Sequence, residues 1–146
     1  MRRREKTPET GSSVFDLVCL DTDILIGFLR GDEKAASLMQ RLEAERRAPT
    51  TTAITAYELT KGAQISSDPS GNLESVNRLV ETVRVLPLTA VSCRNAARIY
   101  SELRGKGRLS GEFDVLIAGI VVENDETLVT RDGHFSMMKD VPVRSW

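Results

Sequence analysis

Apolar positions in this chain fall into short strand-like runs that alternate with stretches of helical period. The run from Phe15 to Leu20 predicts a buried strand that stops where Asp21-Thr22-Asp23 begins. Thr22 and Asp23 offer side-chain oxygens to cap a short helix from about Ile24 to Arg30. Gly31-Asp32 then closes that helix and caps the next, Lys34 to Arg47, which carries Ala35, Leu38, Met39 and Leu42 on one face. Ala48 to Thr52 is short and β-branched and predicts a second strand. A helix capped by Thr55 or a neighbour follows to about Ser66. Ala56, Tyr57, Leu59 and Ala63 predict that it is largely buried around Glu58. Ser67-Asp68-Pro69-Ser70-Gly71 predicts a loop, and Leu73, Val76, Leu79, Val80 and Val83 mark another amphipathic helix.

A short strand within Val83 to Leu88, interrupted by Pro87, leads to Thr89, which caps a long helix with Val91, Ala96, Ile99, Tyr100 and Leu103 inward. Arg104-Gly105-Lys106-Gly107-Arg108 reads as a flexible basic loop. Glu112 to Glu123 is apolar nearly all round, which predicts a central helix with Asp114 in its first turn. Thr127 to Thr130 is a strand ending at Arg131-Asp132-Gly133, and a turn at Phe135 to Met138 and a strand at Val141 to Arg144 complete the order. Strands alternating with helices, without repeats, predict one α/β sandwich over residues 14–146 with a mainly parallel sheet. Met1 to Ser13 is polar, clusters Arg2, Arg3, Arg4 and Lys6, and reads as a disordered basic arm.

Composition narrows the class only a little. At 146 residues the chain suffices for one domain with its own core, and a net charge of -1 argues against a generally cationic nucleic-acid glove. Cys19 and Cys93 lack metal or redox spacing, which suits a reducing, cytoplasmic setting. No apolar run approaches a membrane span.

Four acids stand where acids are costly. Asp21 and Asp132 each follow an apolar strand at its carboxyl end, Asp114 opens a buried helix, and Glu58 lies in a semi-buried one. Each alone has a plain explanation: capping for Asp21 and Asp23, the helix dipole for Asp114, a surface face for Glu58, a turn for Asp132. Together, at one rim of a sheet, they would repel one another unless a cation lay between them, and oxygen donors favour Mg²⁺ or Mn²⁺ over zinc. With His134 the one histidine, a zinc cage and a paired-histidine ribonuclease are improbable, and no Walker-type phosphate loop is present. Acid clusters of this kind suit phosphodiester hydrolysis.

The pattern resembles the PIN-domain nucleases, specifically the VapC-type toxins of prokaryotic toxin–antitoxin modules. Leu20-Asp21-Thr22-Asp23-Ile24-Leu25-Ile26 resembles the first acidic motif, with Asp23 where Asn or Ser is commoner. Thr55-Ala56-Tyr57-Glu58-Leu59 resembles the second, Phe113-Asp114-Val115-Leu116-Ile117-Ala118 the third, and Leu128-Val129-Thr130-Arg131-Asp132 with His134-Phe135 the fourth. The resemblance implies a PIN-like three-layer α/β/α sandwich and an endoribonuclease dependent on Mg²⁺ or Mn²⁺. It also implies a homodimer neutralised by a VapB-type antitoxin. Asp21 and Asp114 are then the principal metal ligands, and Glu58 and Asp132 complete the shell. Asp23, Glu112 and Thr130 are candidate helpers, and Lys61, Arg104, Lys106, Arg108 and Arg131 candidates for steering RNA phosphates. Two rivals remain. In a haloacid-dehalogenase-like phosphatase Asp21 would be the nucleophile of Asp21-Thr22-Asp23, and a silent PIN fold would only bind.

Overall fold

In the computed structural model residues 17–146 are described; the arm expected over Met1 to Ser13 and the start of the first strand lie outside the described residues. Five strands form one sheet in the order β3-β2-β1-β4-β5: β1 (Val18–Leu20), β2 (Thr50–Thr52), β3 (Arg84–Leu86), β4 (Thr127–Val129) and β5 (Val143–Arg144). Every neighbouring pair is parallel, so all carboxyl ends reach the same rim.

The two-residue alternation of the strands sorts their side chains between two cores. Val18 and Leu20 of β1 and Val129 of β4 point toward α1 (Thr22–Leu29), α2 (Glu33–Ala44), α3 (Ala53–Gln64) and α4 (Pro69–Thr82). Cys19 and Leu128 point the other way, into a core with α5 (Ala90–Gly105) and α6 (Glu112–Glu123). The result is the three-layer α/β/α sandwich expected from the sequence. The strand β2 is three buried threonines, which is tolerable because their hydroxyls are occupied. Thr50 donates to the Val18 carbonyl and the buried Glu126, Thr51 donates to the Leu20 carbonyl, and Thr52 caps α3.

Helix α6 owes its seat to Gly119. A Cβ there would lie 2.2 Å from the Ser92 carbonyl oxygen of α5, so only glycine lets the two helices close. That contact holds the first turn of α6, and Asp114 with it, on a rigid support. Thr89 caps α5 as expected, in a reciprocal box with Ser92, and Asp32 caps α2.

Several boundaries differ from the sequence reading. Helix α1 starts at Thr22, one residue after Asp21, so Thr22 is helical and neither it nor Asp23 caps from outside. Thr52, not Thr55, caps α3, because its hydroxyl accepts from the Thr55 amide. Pro69, Ser70 and Gly71 form the first turn of α4 behind the cap Asp68, where a loop was expected; proline suits a first helical position because its missing N–H has no partner there. Helix α5 runs through Gly105, and the chain turns only at Gly107, whose φ of +68° suits glycine. Tyr57, expected inside, is 52% exposed. Among the described residues no helix is long and apolar enough to cross a membrane.

Candidate active site: acids at the carboxyl rim of the sheet

Because β1 and β4 are parallel neighbours, Asp21 leaves β1 beside Thr130 leaving β4, and the Asp21 amide still donates to the Val129 carbonyl. Asp21 is 5% exposed and Thr130 2%. The Thr130 hydroxyl donates to Asp21 Oδ2 at 2.7 Å and accepts from the Asp132 amide at 3.0 Å. One buried hydroxyl thus ties the first acid to the backbone of the fourth. Burial pushes the Asp21 carboxyl up to about 7, with the Thr130 bond and the Thr22 amide opposing, and the charges of Asp23 and Glu58 adding to the rise.

Glu58, half-buried on α3, is held by Thr22 Oγ1 at 3.0 Å, and Thr22 also lies 3.1 Å from the Thr55 hydroxyl. Asp114 sits in the first turn of α6 with Ser110 Oγ 3.4 Å from its carboxylate. A helix N-terminus lowers a carboxyl pKa. Here the opposite prevails: burial first, then the charges of Asp132 and Glu58, hold Asp114 above its ordinary value. Glu58 therefore presses on both Asp21 and Asp114, and through it the pairs share one electrostatic site.

Asp132 does two things at once. Its Oδ1 accepts from the His134 amide at 2.9 Å and caps the 3-10 helix Gly133–Met137, the turn role weighed from sequence. It also meets the His134 Nδ1 at 2.9 Å, while Asp114 Oδ2 lies 3.6 Å from the same nitrogen. Asp114, Asp132 and His134 offer ligand atoms all within 4.8 Å of one another. In the sequence His134 belonged to the fourth motif and, as the one histidine, argued against a zinc cage; it was given no role at the site, although its place two residues after a strand-end acid puts it beside the cluster. Glu112 is exposed in the first turn of α6.

Asp23 does not project beside Asp21 as a free acid. Its Oδ2 accepts from the Arg131 amide at 2.7 Å, and its Oδ1 from the Ile24 amide at 2.7 Å and the Trp146 indole N–H at 3.3 Å. Arg131 stacks on Trp146, guanidinium carbon 3.4 Å from the ring centroid, and its Nε donates to the Trp146 carbonyl at 2.6 Å. Arg131 is thus anchored to residue 146 instead of reaching freely for phosphate. This clamp joins α1, the end of β4 and Trp146 directly beside the Thr130–Asp21 bond. Trp146→Phe, which keeps the stacked ring and removes the N–H, is expected to slow any activity of the site by about threefold, and Trp146→Ala by about ten- to a hundredfold, in the range found for groups that orient metal ligands. Steady-state rates at equal folded fraction check this; unchanged rates in both variants would reduce the clamp to a tether.

An acid-lined rim at the carboxyl ends of a parallel sheet is suited to a metal-assisted hydrolase. Residues 18–141 match the PIN domain, and the chain belongs to that family. The tRNA(fMet)-specific endonuclease VapC of Shigella flexneri is 31% identical over 113 residues, 77% of this chain and 84% of that protein. The VapBC of Salmonella typhimurium, solved bound to DNA, superposes with a TM-score of 0.82 at 25% identity, over 90% of this chain and 98% of that one. VapBC2 of Rickettsia felis, bound to a promoter DNA fragment, matches in fold with a TM-score of 0.82 at 20% identity, over 89% and 98%.

Proposed function

We propose that this chain is the toxin of a VapBC-type toxin–antitoxin pair, an endoribonuclease that uses Mg²⁺ or Mn²⁺ to hydrolyse RNA phosphodiester bonds. A VapB-type antitoxin holds it inactive, and it works in the cytoplasm as a homodimer. The observation that carries the reading is electrostatic. Asp21 and Asp114 are both held above their ordinary values, chiefly by burial and in part by the charge of Glu58, which acts on both. Carboxylates gathered at such a cost are suited to a divalent cation, and Asp114, Asp132 and His134 bring two hard carboxylates and one imidazole within 4.8 Å of one another.

In this reading Asp21 and Asp114 hold the ion, and Glu58 and Asp132 complete its surroundings. Bound there, the ion would neutralise charge on the phosphodiester and make a water more acidic. The chain's own residues supply position. Thr130 fixes the rotamer of Asp21, Thr22 fixes Glu58, and the packed α6 fixes Asp114. The phosphatase alternative needs Asp23 free for acid–base work two residues from Asp21, whereas Asp23 is bound to three N–H groups. Transfer RNA is the first substrate class to test, since the Shigella relative carries that specificity in its name.

The test is incubation of labelled tRNA with the protein in Mg²⁺ or Mn²⁺, with a small phosphomonoester in parallel. RNA cleavage that stops with chelator and with added antitoxin, the monoester intact, is the expected result. Monoester turnover without RNA cutting would overturn it.

A further inference from the structure

Tyr57 immediately precedes Glu58 on α3, and Phe113 immediately precedes Asp114 on α6. The two rings meet edge to face, centroids 5.6 Å apart at 78°, across the gap between the helices. Lys61, one turn along α3, sets its Nζ 5.2 Å from the Tyr57 centroid and 5.3 Å from that of Phe113. Neither ring belongs to a hydrophobic core. Tyr57 is 52% exposed and Phe113 37%, a contiguous aromatic surface left in water on the helices that carry two of the four acids.

We infer that Tyr57, Phe113 and Lys61 form a subsite that stacks one unpaired nucleobase of the RNA next to the bond to be cut. The inference rests on the nuclease reading above and adds a substrate contact to it. Three features favour a nucleic acid over a peptide as occupant. Every base offers a π-face to such rings, so stacking serves without a sequence code. A polyanion approaching four carboxylates needs a cation beside its entry, and Lys61 stands there, held over the rings. Tyr57 and Phe113 stand one residue before Glu58 and Asp114, so the platform is built on the two helices that carry these acids. An unpaired base is required because rings on a surface cannot reach the face of a base inside a duplex.

Binding tests the subsite independently of cleavage. A dye-labelled single-stranded RNA is titrated into the Asp21→Asn protein, in which the platform is intact, and into the same protein carrying Tyr57→Leu, Phe113→Leu or Tyr57→Phe. Stacking on aromatic side chains typically accounts for about 5- to 150-fold in affinity per base. The two leucine changes are expected to raise Kd about tenfold, with Tyr57→Phe near the parent. Lys61→Gln should lower the slope of log affinity against log salt by about 0.7, the share of one phosphate on a single strand. The discriminating arm scans an abasic nucleotide along the RNA. At one position the missing base should cost about tenfold against the parent and almost nothing against Tyr57→Leu, a coupling that a merely structural tyrosine would not produce. An abasic penalty equal in both proteins at every position overturns the subsite. So does antitoxin binding weakened by the leucine changes while RNA binding is unchanged, which would assign the platform to the antitoxin. Wild-type protein that binds RNA with this coupling yet cuts none would instead overturn the nuclease reading and leave the subsite standing.

Discussion

Asp21→Asn is expected to lower RNA cleavage by about a thousandfold while making the metal-free fold more stable at neutral pH. The first half follows from the role given to Asp21: a metal ligand supports several kcal/mol of transition-state charge stabilisation, and about 4 kcal/mol is three decades in rate. The second half follows from burial. The Asp21 carboxyl ordinarily titrates near 3.8 and here is pushed up to about 7, so the folded state binds its proton more tightly than the unfolded chain does. A group raised in this way supports the fold fully below about pH 4, and that support is lost as pH rises through 7. The gap between 3.8 and about 7 caps the penalty at about 4 kcal/mol. Asparagine keeps the shape, can accept from Thr130 and carries no charge, so a gain of about 1–3 kcal/mol is expected above pH 7. Urea unfolding in chelator from pH 5 to 8 reads it: wild type should lose stability over that range more steeply than the variant. Added Mg²⁺ or Mn²⁺ should restore wild type far more than Asp21→Asn, because ligand binding stabilises only the state that binds. Parallel pH curves for the two proteins would show that Asp21 is not a strained acid.

Much of this arrangement was legible before any coordinates, for a physical reason. Short apolar runs that end in a carboxylate have few outcomes in a parallel sheet, and Asp21 and the Thr130–Asp132 segment had to reach one rim once their strands paired in parallel. Glu58 and Asp114 were legible as acids inside apolar helical stretches. What escaped was decided by side-chain geometry. The residues Thr22 and Asp23 look like caps because both can cap, but the backbone becomes helical at Thr22, and besides the Ile24 amide Asp23 finds donors on Arg131 and Trp146, over a hundred residues away. Tyr57 reads as core in any amphipathic count of α3. Its ring instead stands outward, edge to face with Phe113 of another helix, a contact that no count along α3 can show. The segment Asp68-Pro69-Ser70-Gly71 has loop composition, yet an aspartate cap followed by proline is also how a helix begins. His134 needed the 3-10 turn capped by Asp132 to swing its ring between two acids.

Asp114→Asn should match Asp21→Asn in rate, a fall of about a thousandfold, if the two acids serve one ion. The substitution is isosteric, leaves the Ser110 contact available and sits on a helix whose buried face, Val115 through Val121, is untouched, so the fold should be retained. Because burial and the charges of Asp132 and Glu58 already disfavour the Asp114 anion, its loss should not weaken the metal-free protein. The decisive variant is the double one. The losses of residues that act as a unit do not add, and removing the second costs little once the first is gone. Asp21→Asn with Asp114→Asn is therefore expected to be about as slow as the slower single variant, measured in excess Mn²⁺ where residual rates are readable. Two losses that multiply would place the acids in separate sites. His134→Gln supplies the contrast, for its side chain is 59% exposed at the edge of the cluster and reaches Asp114 only at 3.6 Å. A loss within about tenfold is expected for an outer partner that steadies Asp132. A loss as deep as that of Asp114→Asn would make the imidazole a ligand in its own right, and the all-oxygen reading of this site would have to give way to a mixed one that favours Mn²⁺ over Mg²⁺.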